Sequence, residues 1–482
     1  MLEILSHKYL KNFVKYNYID WDHIYSFGRI ISKGIQTSHN YLINSEIFLT
    51  DKWYFAVLIS LSLNEENSFL VISREEIDLL KKNQLILLKD FGFNFVITND
   101  QLIFSTHKIS LITLDELLRR FSNSSFNNQR IVLKDIQNIK EDLKKIFNIS
   151  LLKRHWFQSH KKIGIRNELI ESKYNDLKQK FFLRAIPNKK QVYLDKNDIK
   201  ILREFFFENA SFSKHFLKVK QALSSDWACW VELDYENFEW ILILEPIDEI
   251  LEVKDLIIKN NFIFLSAFRR DNFFQKYLKS HDLYIDLVIN FKSDFIEKDF
   301  LIYAPPRQML PNNPLFLESI IQQCIKLFLL RKEFTLILSN SNDLKINLAT
   351  ELASRYGHTV LLETLPANNH RILVASYDWW IKKQFLCKLP DQIIIPLLPI
   401  PDITETINEQ TISYHLKNSK DWFRDFLLPE AINKLDKAVY PLRKNSGSLV
   451  ILDGRVSSRQ WGRELINKIQ PSKVLNHMFP FE

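Results

Sequence analysis

Short runs of apolar residues alternate along this chain with stretches whose apolar residues recur at helical spacing. Over residues 20–150 the runs are FAVLISLSL, NSFLVIS, FNFVITN, KISLITL and QRIVLKD. REEIDLLKKNQ and LDELLRRF, which lie between them, have the spacing of amphipathic helices. Short apolar runs suit buried or half-buried sheet segments, and apolar residues three or four apart form one helix face. The alternation therefore predicts an α/β fold.

The same alternation returns near residue 296, after a segment of long, basic, aromatic helices and the strand-like runs WACWVELD, WILILEP and NFIFLSAF. A chain of 482 residues is too long for one hydrophobic core. The predicted organisation is a first α/β domain in two parts, 1–150 and 226–295, a helical basic insertion, 151–225, and a second α/β domain, 296–482. The turn-rich stretch APPRQMLPNNP is the best candidate for a linker.

Composition limits the class of protein and its compartment. The three cysteines, Cys229, Cys324 and Cys387, lie far apart and form no metal-binding spacing, which fits a reducing compartment. The first residues contain scattered charges and no signal-peptide core, and the longest apolar runs are too short to span a bilayer. These features predict a cytoplasmic protein with no membrane partner.

The net charge of +8 is concentrated in one segment. Between Leu151 and Lys190 there are eleven Lys or Arg residues against three acids, with aromatic residues interleaved. Cations with aromatics suit a groove for single-stranded nucleic acid, although a solvated basic helix with core aromatics gives the same pattern. The candidate nucleic-acid-binding residues are Lys153, Arg154, Lys161, Lys162, Arg166, Lys178, Lys180 and Arg184.

The C-terminal stretch LLPEAINKLDKAVYPLRKNSGSLVILDGRVSSRQWGREL resembles the end of the DinG/XPD-like branch of superfamily 2 DNA helicases. In that family a Pro-Glu-Ala opens the helix that leads to motif VI. A strand ending in Asp-x-Arg and a Tyr/Trp-Gly-Arg before the last helix follow it. The matching residues are Pro429, Glu430, Ala431, Arg443, Asp453, Arg455, Trp461 and Gly462.

Weaker similarity extends upstream in the family's motif order. LVISREEIDLL stands at motif Ia, and Ser266, Ala267 and Phe268 stand at the Ser-Ala-Thr of motif III. The resemblance implies two RecA-like domains of the P-loop NTPase type, with ATP and Mg²⁺ between them and an insertion that helps enclose the strand. The implied partner is single-stranded or partly single-stranded DNA. RNA and a protein partner are left open.

The phosphate-binding motif of that family is altered here. A P-loop needs glycines so that backbone N–H groups reach phosphate, a lysine for charge, and a hydroxyl for Mg²⁺. When Lys52 is aligned with the P-loop lysine, Glu46 and Asp51 stand at the glycines and Trp53 stands at the Ser/Thr. Lys52 is therefore a candidate nucleotide-binding residue, or else a surface lysine at the start of a helix.

The metal-binding motif II is altered in the same way. The family's Asp-Glu-x-His becomes Lys134, Asp135, Ile136 and Gln137 after the run RIVL. Asp135 is a candidate catalytic residue that would hold metal through water, with a helix cap or surface acid as the alternative. No cysteine lies between Trp53 and Asp135, so the iron–sulfur cluster of many relatives is not expected.

Motif VI keeps one of its arginines. The family's Gln-x-x-Gly-Arg-x-x-Arg becomes Asp436, Val439, Tyr440 and Arg443. Arg443 is the candidate that would contact nucleotide in catalysis, and a structural ion pair is the alternative.

Two functions remain open at this point. The first is a DinG-like, ATP-dependent DNA helicase whose ATP hydrolysis is weak or lost, because phosphate cradle, metal hydroxyl and metal carboxylate are all altered. The second is a catalytically inactive pseudo-helicase that binds single-stranded nucleic acid or a protein partner. ATP and Mg²⁺ are cofactors only under the first function.

Overall fold

The computed structural model describes residues 2–37, 39–123, 127–157, 164–185, 190–268, 272–291, 298–330, 334–366 and 370–475. The chain divides into two compact units. The first unit is Met1–Lys292 with Ile403–Asn418, and the second unit is Ser293–Asp402 with Ser419–Glu482.

Strands and helices alternate through most of both units. The strands are β1 (Tyr41–Asn44), β2 (Ser68–Val71), β3 (Val96–Thr98), β4 (Gln101–Ile103), β5 (Lys108–Ile112), β6 (Arg130–Leu133), β7 (Ile149–Leu151), β8 (Gln191–Tyr193), β9 (Trp227–Asp234), β10 (Glu239–Pro246), β11 (Asn261–Ser266), β12 (Leu287–Asn290), β13 (Phe300–Tyr303), β14 (Thr335–Leu338), β15 (Val360–Leu362), β16 (Ile372–Ala375), β17 (Gln392–Ile395), β18 (Ser448–Ile451) and β19 (Ser472–Leu475). The helices are α1 (Leu2–Asn17), α2 (Ile24–Gln36), α3 (Trp53–Ser62), α4 (Arg74–Lys82), α5 (Gln84–Asp90), α6 (Leu114–Asn123), α7 (Ile139–Phe147), α8 (Lys153–Phe157), α9 (Gly164–Leu183), α10 (Lys196–Glu208), α11 (Lys214–Leu223), α12 (Lys254–Lys259), α13 (Asn272–Lys279), α14 (Phe316–Leu330), α15 (Asn342–Tyr356), α16 (Tyr377–Lys383), α17 (Thr406–Lys417), α18 (Leu428–Ala438), α19 (Leu442–Asn445), α20 (Arg455–Ser458) and α21 (Gln460–Lys468). Within the described ranges, no helix combines the length and the apolar character that crossing a bilayer requires.

The first unit is built on an eight-stranded sheet in the order β12-β1-β11-β6-β2-β5-β4-β3. The strands from β12 to β5 are parallel, and β4 and β3 add an antiparallel edge. Successive side chains of a strand point to opposite faces, so Ile43 packs against α1, α2 and α3 while Leu42 packs against α6, α7, α12 and α13. Helices on both faces of a mostly parallel sheet confirm the predicted α/β class.

One apolar run is a helix, although sequence analysis grouped it with the sheet segments. FAVLISLSL lies in α3, where every residue from Trp53 to Leu61 is buried. A short apolar run does not distinguish a buried strand from a helix that is covered on all sides. This helix begins directly after the expected phosphate-binding loop, so its burial bears on the candidate site.

A second, antiparallel sheet in the order β7-β10-β9-β8 carries the insertion. One face packs against α8, α9, α10 and α11, and on the other face Trp230 and Ile243 pack with Ile407 of α17. The Gln410 side chain of α17 accepts from Cys229 N at 2.8 Å and donates to Cys229 O at 2.7 Å. Because β9 and β10 pair with β7 and β8, they extend the insertion beyond residue 225, where sequence analysis had placed its end.

Most aromatics of the basic segment are core residues. Trp156, Tyr174 and Phe181 are each at most 2% exposed, and their rings lie 5.1–5.2 Å from the ring of Trp240 on β10. They bury a large apolar area against the second sheet, so they are not available to stack on a ligand. Phe182 remains partly exposed.

The second unit is built on a parallel seven-stranded sheet, β15-β16-β14-β17-β18-β13-β19. The two parallel sheets share a strand order: β19-β13-β18-β17-β14-β16 here corresponds to β12-β1-β11-β6-β2-β5 in the first unit. Strand β13 therefore has the same position in its sheet as β1. Helices α14 and α15 cover one face. The stretch APPRQMLPNNP connects β13 to α14 inside this unit and does not link the two units, in contrast to the sequence-based assignment.

Two glycines near the C-terminus allow close backbone contacts. A Cβ on Gly454 would lie 2.4 Å from Gln308 O, and a Cβ on Gly462 would lie 2.0 Å from Val456 O. Neither glycine has a positive φ, so close approach explains these residues and a phosphate cradle is not needed to explain them.

Gly462→Ala is expected to lower the free energy of unfolding by about 1–3 kcal/mol, because the added methyl group overlaps backbone that cannot rotate away. Urea denaturation measures this change. Ser458→Ala, at an exposed position of the neighbouring helix α20, is the control and is expected to leave stability unchanged. If Gly462→Ala and Ser458→Ala had equal free energies of unfolding, the backbone around residue 462 would accommodate the methyl group without loss of stability.

Candidate nucleotide site and nucleic-acid interface

The segment between β1 and α3 occupies the place of a phosphate-binding loop. It forms a 3₁₀ turn, Glu46–Leu49, and contains no glycine. Phe48 and Trp53 are almost fully buried, with ring centroids 5.6 Å apart, and Phe48 also contacts Phe27. A buried aromatic pair thus stands at the start of the helix that would face phosphate.

Six backbone N–H groups of this segment already have protein acceptors. The donors are Ser45, Ile47, Phe48, Thr50, Lys52 and Tyr54, and the acceptors are oxygens of Ser266, Ser45, Ile47, Thr50 and Asp51. A phosphate cradle works through N–H groups that point to the ligand. This turn therefore offers few donors to phosphate in its present conformation.

Lys52, the predicted nucleotide-binding lysine, lies at the start of α3. Its ammonium donates to the backbone oxygen of Asp20 at 2.5 Å, and its own N–H donates to Thr50 Oγ1 at 3.4 Å. Through its bond to Asp20, Lys52 connects the start of α3 to the segment before α2. Its contact with nucleotide stays a prediction.

Lys134, which precedes Asp135, is the centre of an ion cluster at the carboxyl end of β6. Its ammonium lies 2.5 Å from Glu76 Oε1 and 2.9 Å from Asp135 Oδ2, and its side chain is 8% exposed. We call Lys134, Glu76, Asp135 and Gln137 the Lys134 cluster. A lysine ammonium thus lies beside two carboxylates, at the place that the sequence resemblance assigns to the metal-binding motif II.

Burial and charge oppose each other in this cluster. Burial alone would raise the pKa of Glu76, but Lys134 and hydrogen bonds from Ser73 hold it below its usual value. Burial alone would lower the pKa of Lys134, but Asp135 and Glu76 hold it above its usual value. Both partners are therefore charged at neutral pH, and the ion pair persists there.

Asp135 is held by its neighbours on both sides. Its φ of +58° is unusual for a residue other than glycine, and Gln137 Nε2 donates to its Oδ1 at 2.9 Å. Gln137 Oε1 in turn accepts from Ala267 N at 3.3 Å, which ties the end of β6 to the end of β11. Asp135 makes no side-chain cap to the following turn. Metal binding by Asp135 stays a prediction.

Arg443, the other predicted catalytic residue, lies in the second unit and is 4% exposed. Its guanidinium pairs with the Asp436 carboxylate, donates to Asp436 O at 3.2 Å, and donates to Gln470 O at 3.0 Å. These bonds connect α18 to the segment before β19, as a structural ion pair does. Its contact with nucleotide stays a prediction.

Several cations of the basic segment have acidic partners inside the first unit. Lys153 lies 2.8 Å from Glu239, and both Lys180 and Arg184 lie 2.5 Å from the fully buried Asp198. These pairs reduce the charge that the segment offers to a polyanion.

The other candidates of that segment differ in their surroundings. The Arg154 guanidinium donates to His155 Nε2 at 3.3 Å, and the Lys178 ammonium lies 5.5 Å from the centre of the Phe238 ring. Lys161, Lys162 and the side chain of Arg166 lie outside the described residues. All eight nucleic-acid assignments from the sequence stay predictions.

An exposed aromatic group lies where the β9–β10 hairpin meets α9. The rings of Phe182 and Phe238 stack at 4.7 Å with an interplanar angle of 6°, and Tyr235 meets Phe182 edge-on at 6.0 Å. Phe238 is 59% exposed and Tyr235 is 42% exposed. We call Phe182, Tyr235, Phe238 and Lys178 the aromatic tip. Flat rings beside a cation are the elements that single-strand-binding proteins use to stack bases.

The charge pattern did not identify Tyr235 and Phe238, because they lie outside the basic segment between Leu151 and Lys190. The signal was present in the turn DYENFE between two apolar runs, which places two aromatics at the end of a hairpin. Asp234 stabilises that turn by accepting from the N–H groups of Glu236 and Asn237 at 3.1 Å. Only the pairing of β9 with β10 brings the two rings to Phe182 on α9.

Comparison with known proteins places the fold. No protein-family profile and no curated protein matches the sequence. Among solved structures, an XPD helicase has a TM-score of 0.56 at 12% identity, and covers 95% of this chain and 100% of that chain. An apo XPD structure has a TM-score of 0.54 at 13% identity, and covers 93% of this chain and 100% of that chain. Xpd4 of S. tokodaii has a TM-score of 0.55 at 12% identity, and covers 94% of this chain and 100% of that chain. Since identity this low establishes the fold alone, the conclusion is that this chain has the fold of the XPD helicases, with two RecA-like α/β domains.

Proposed function

We propose that this chain is a pseudo-helicase: a protein on an XPD-like scaffold that binds single-stranded nucleic acid and does not turn over ATP. DNA is the expected nucleic acid. The first function expected from the sequence, an ATP-dependent DNA helicase with weak or lost hydrolysis, needs a phosphate cradle and a metal site in the first unit.

The Lys134 cluster is the main observation that supports a loss of ATP turnover. The Lys134 ammonium lies 2.5 Å from Glu76 and 2.9 Å from Asp135 and offsets one of their two negative charges, so a magnesium ion in the same place would have to displace a buried cation. The segment before α3 adds a second obstacle, because six of its N–H groups are bonded to protein oxygens. Phosphoryl transfer depends on charge stabilisation by metal and backbone donors, and both are compromised here.

The aromatic tip supports nucleic-acid binding. Its exposed rings at the end of a hairpin can stack on bases, and Lys178 can attract a backbone phosphate. Because Lys153, Lys180 and Arg184 are paired with acids, stacking is expected to contribute more to affinity than these three charges do.

A second candidate function is protein binding through the same tip. The observation in its favour is the acidic surroundings of the two rings, where Asp234, Glu236 and Glu239 lie in or beside the hairpin turn. Acids disfavour a polyanion, although Glu239 is neutralised by Lys153.

ATP hydrolysis by the full chain, with Mg²⁺ and single-stranded DNA present, is expected to equal the rate without protein, because a lysine ammonium lies beside the candidate metal-binding carboxylates and the turn offers few N–H donors to phosphate. A phosphate-release assay measures it. Lys52→Ala is expected to leave this background unchanged. Turnover that DNA stimulates and that Lys52→Ala reduces would overturn the proposal and favour an active helicase.

A further inference from the structure

The second unit contains a polar cavity of about 310 Å³ at the carboxyl end of its sheet. The cavity is lined by the loop after β13, by helix α14 and by Leu452, which directly follows β18. The residues that matter for its chemistry are Pro305, Pro306, Gln308, Gln323 and Lys326. All of them belong to the second unit.

The topology of the sheet explains why a cavity forms there. From β13 the chain moves along the sheet towards β14, whereas from β18 it moves in the opposite direction, past β13, to β19. Right-handed crossovers then place the two connecting helices on opposite faces. Parallel sheets bind ligands in the crevice that opens between two such neighbouring strands. In the first unit, the matching place beside β1 is occupied by the turn with Phe48 and Trp53.

The cavity presents a hydrogen-bond donor and acceptor side by side. Gln323 Nε2 donates to Gln308 Oε1 at 2.8 Å and to Ser319 Oγ at 3.2 Å. This pairing leaves the Gln308 amide hydrogens and the Gln323 carbonyl without a partner among the described residues. Such a pair matches the edge of a nucleobase, as a glutamine amide matches the N6 and N7 positions of adenine.

A cation and two apolar rings complete the lining. Among the residues that the structure describes, Lys326 has no acidic partner, so its ammonium is available to a phosphate. The exposed Pro306 and the buried Pro305 add apolar surface to the lining, against which a base can pack. The volume lies at the low end of the range for small-molecule sites, about 300–1,000 Å³, which suits one nucleotide better than a longer ligand.

The loop after β13 contains a residue with a strained backbone. Arg307 has a φ of +62°, which a residue other than glycine seldom adopts. Gly454 N donates to Met309 O at 3.3 Å, and the absence of a side chain on Gly454 lets Gln308 O approach closely. Strain that the surrounding structure enforces is frequent at ligand sites.

We propose that this cavity binds a single adenine nucleotide in its monophosphate form, either free or as the 5′ end of a nucleic-acid strand. Gln308 and Gln323 hydrogen-bond the base edge, Pro306 packs on its face, and Lys326 pairs with the phosphate. The site is separate from the aromatic tip and does not depend on the function proposed above.

Calorimetry of the full chain with AMP, without Mg²⁺, tests the proposal. We expect binding that Lys326→Ala and Gln308→Ala each weaken by about tenfold or more, since each removes a charged or otherwise unsatisfied partner. Lys388→Ala, at another exposed lysine of the second unit, is the matched control and is expected to bind AMP normally. Thermal unfolding of Gln308→Ala verifies that the loop still folds.

Competition distinguishes the two sources of the ligand. A short single strand with a 5′-phosphorylated adenosine displaces AMP if the site takes strand ends, and fails to displace it if the site takes free nucleotide. Absence of AMP binding, unchanged binding by both variants, or displacement of AMP by an equal concentration of inorganic phosphate would each overturn the assignment. Phe238→Ala is expected to leave AMP binding unchanged, so this result is independent of nucleic-acid binding at the tip.

Discussion

Replacement of Lys134 by methionine is expected to lower the free energy of unfolding by about 3 kcal/mol. Methionine is unbranched and one atom shorter than lysine, so the change removes the charge and leaves Glu76 and Asp135 without their shared cation. Breaking a buried ion pair costs about 3–5 kcal/mol. The low end applies here because the Glu76 and Asp135 side chains are 23% and 34% exposed and water can reach them.

At acidic pH, the difference in free energy of unfolding between the parent and Lys134→Met is expected to become smaller. In the parent chain the lowered pKa of Glu76 stabilises the fold above its ordinary value of 4.5, and this contribution is lost as the pH falls through the folded-state pKa. Below that pH the carboxyl is neutral in both proteins, so the parent and Lys134→Met converge in stability.

Urea denaturation at neutral and acidic pH measures both effects. The Gly462→Ala variant identifies the transition of the second unit, so that a shift caused by Lys134→Met can be assigned to the first. A triple variant that adds Glu76→Gln and Asp135→Asn is the matched control. It is expected to recover part of the loss, because it replaces the unpaired charges with amides and keeps the hydrogen bonds from Ser73. Equal stability of Lys134→Met and the parent at neutral pH would show that the cluster is a solvated surface network.

Removal of the two rings at the hairpin end, in the variant Tyr235→Ala/Phe238→Ala, is expected to weaken single-strand binding by about 100-fold or more. Stacking of one base on an aromatic side chain contributes about 1–3 kcal/mol, and two rings are lost. Because Lys153, Lys180 and Arg184 have acidic partners, we also expect a shallow dependence of affinity on salt. Fluorescence anisotropy of a labelled oligonucleotide, titrated at several salt concentrations, measures both quantities.

Tyr284→Ala is the control for this variant. Tyr284 is a 61% exposed tyrosine of the first unit, outside the hairpin, and its loss is expected to leave affinity unchanged. All three side chains are exposed, so the variants should fold like the parent. Unchanged affinity in the double variant would exclude the tip as a nucleic-acid site and would favour the protein-binding alternative. If the chain bound an RNA strand more tightly than DNA, RNA would replace DNA as the proposed ligand, and the aromatic tip would remain the proposed binding site.

The sequence was sufficient to predict the α/β class, because hydrophobic spacing is set by local geometry. Runs such as FTLILSN and QIIIPLL are strands β14 and β17, and REEIDLLKKNQ is helix α4. The same logic could not separate FAVLISLSL from a strand, because a helix that is buried on all sides loses its periodic pattern. Nor could it assign β9 and β10 to the second sheet, because strand pairing depends on partners distant in the chain.

For the candidate site, the sequence by itself determined which residue types are absent: there is no glycine between Ser45 and Lys52, and Lys134 and Asp135 stand in place of an Asp-Glu pair. Only the tertiary structure decided what the substituted residues do instead. It brings Glu76 to Lys134 across 58 positions of sequence and Phe238 to Phe182 across the insertion. It also directs Lys180 and Arg184 to the buried Asp198. The physical reason is that composition and spacing are local properties, whereas the pairing of charges and the exposure of rings depend on which distant segments the fold packs together.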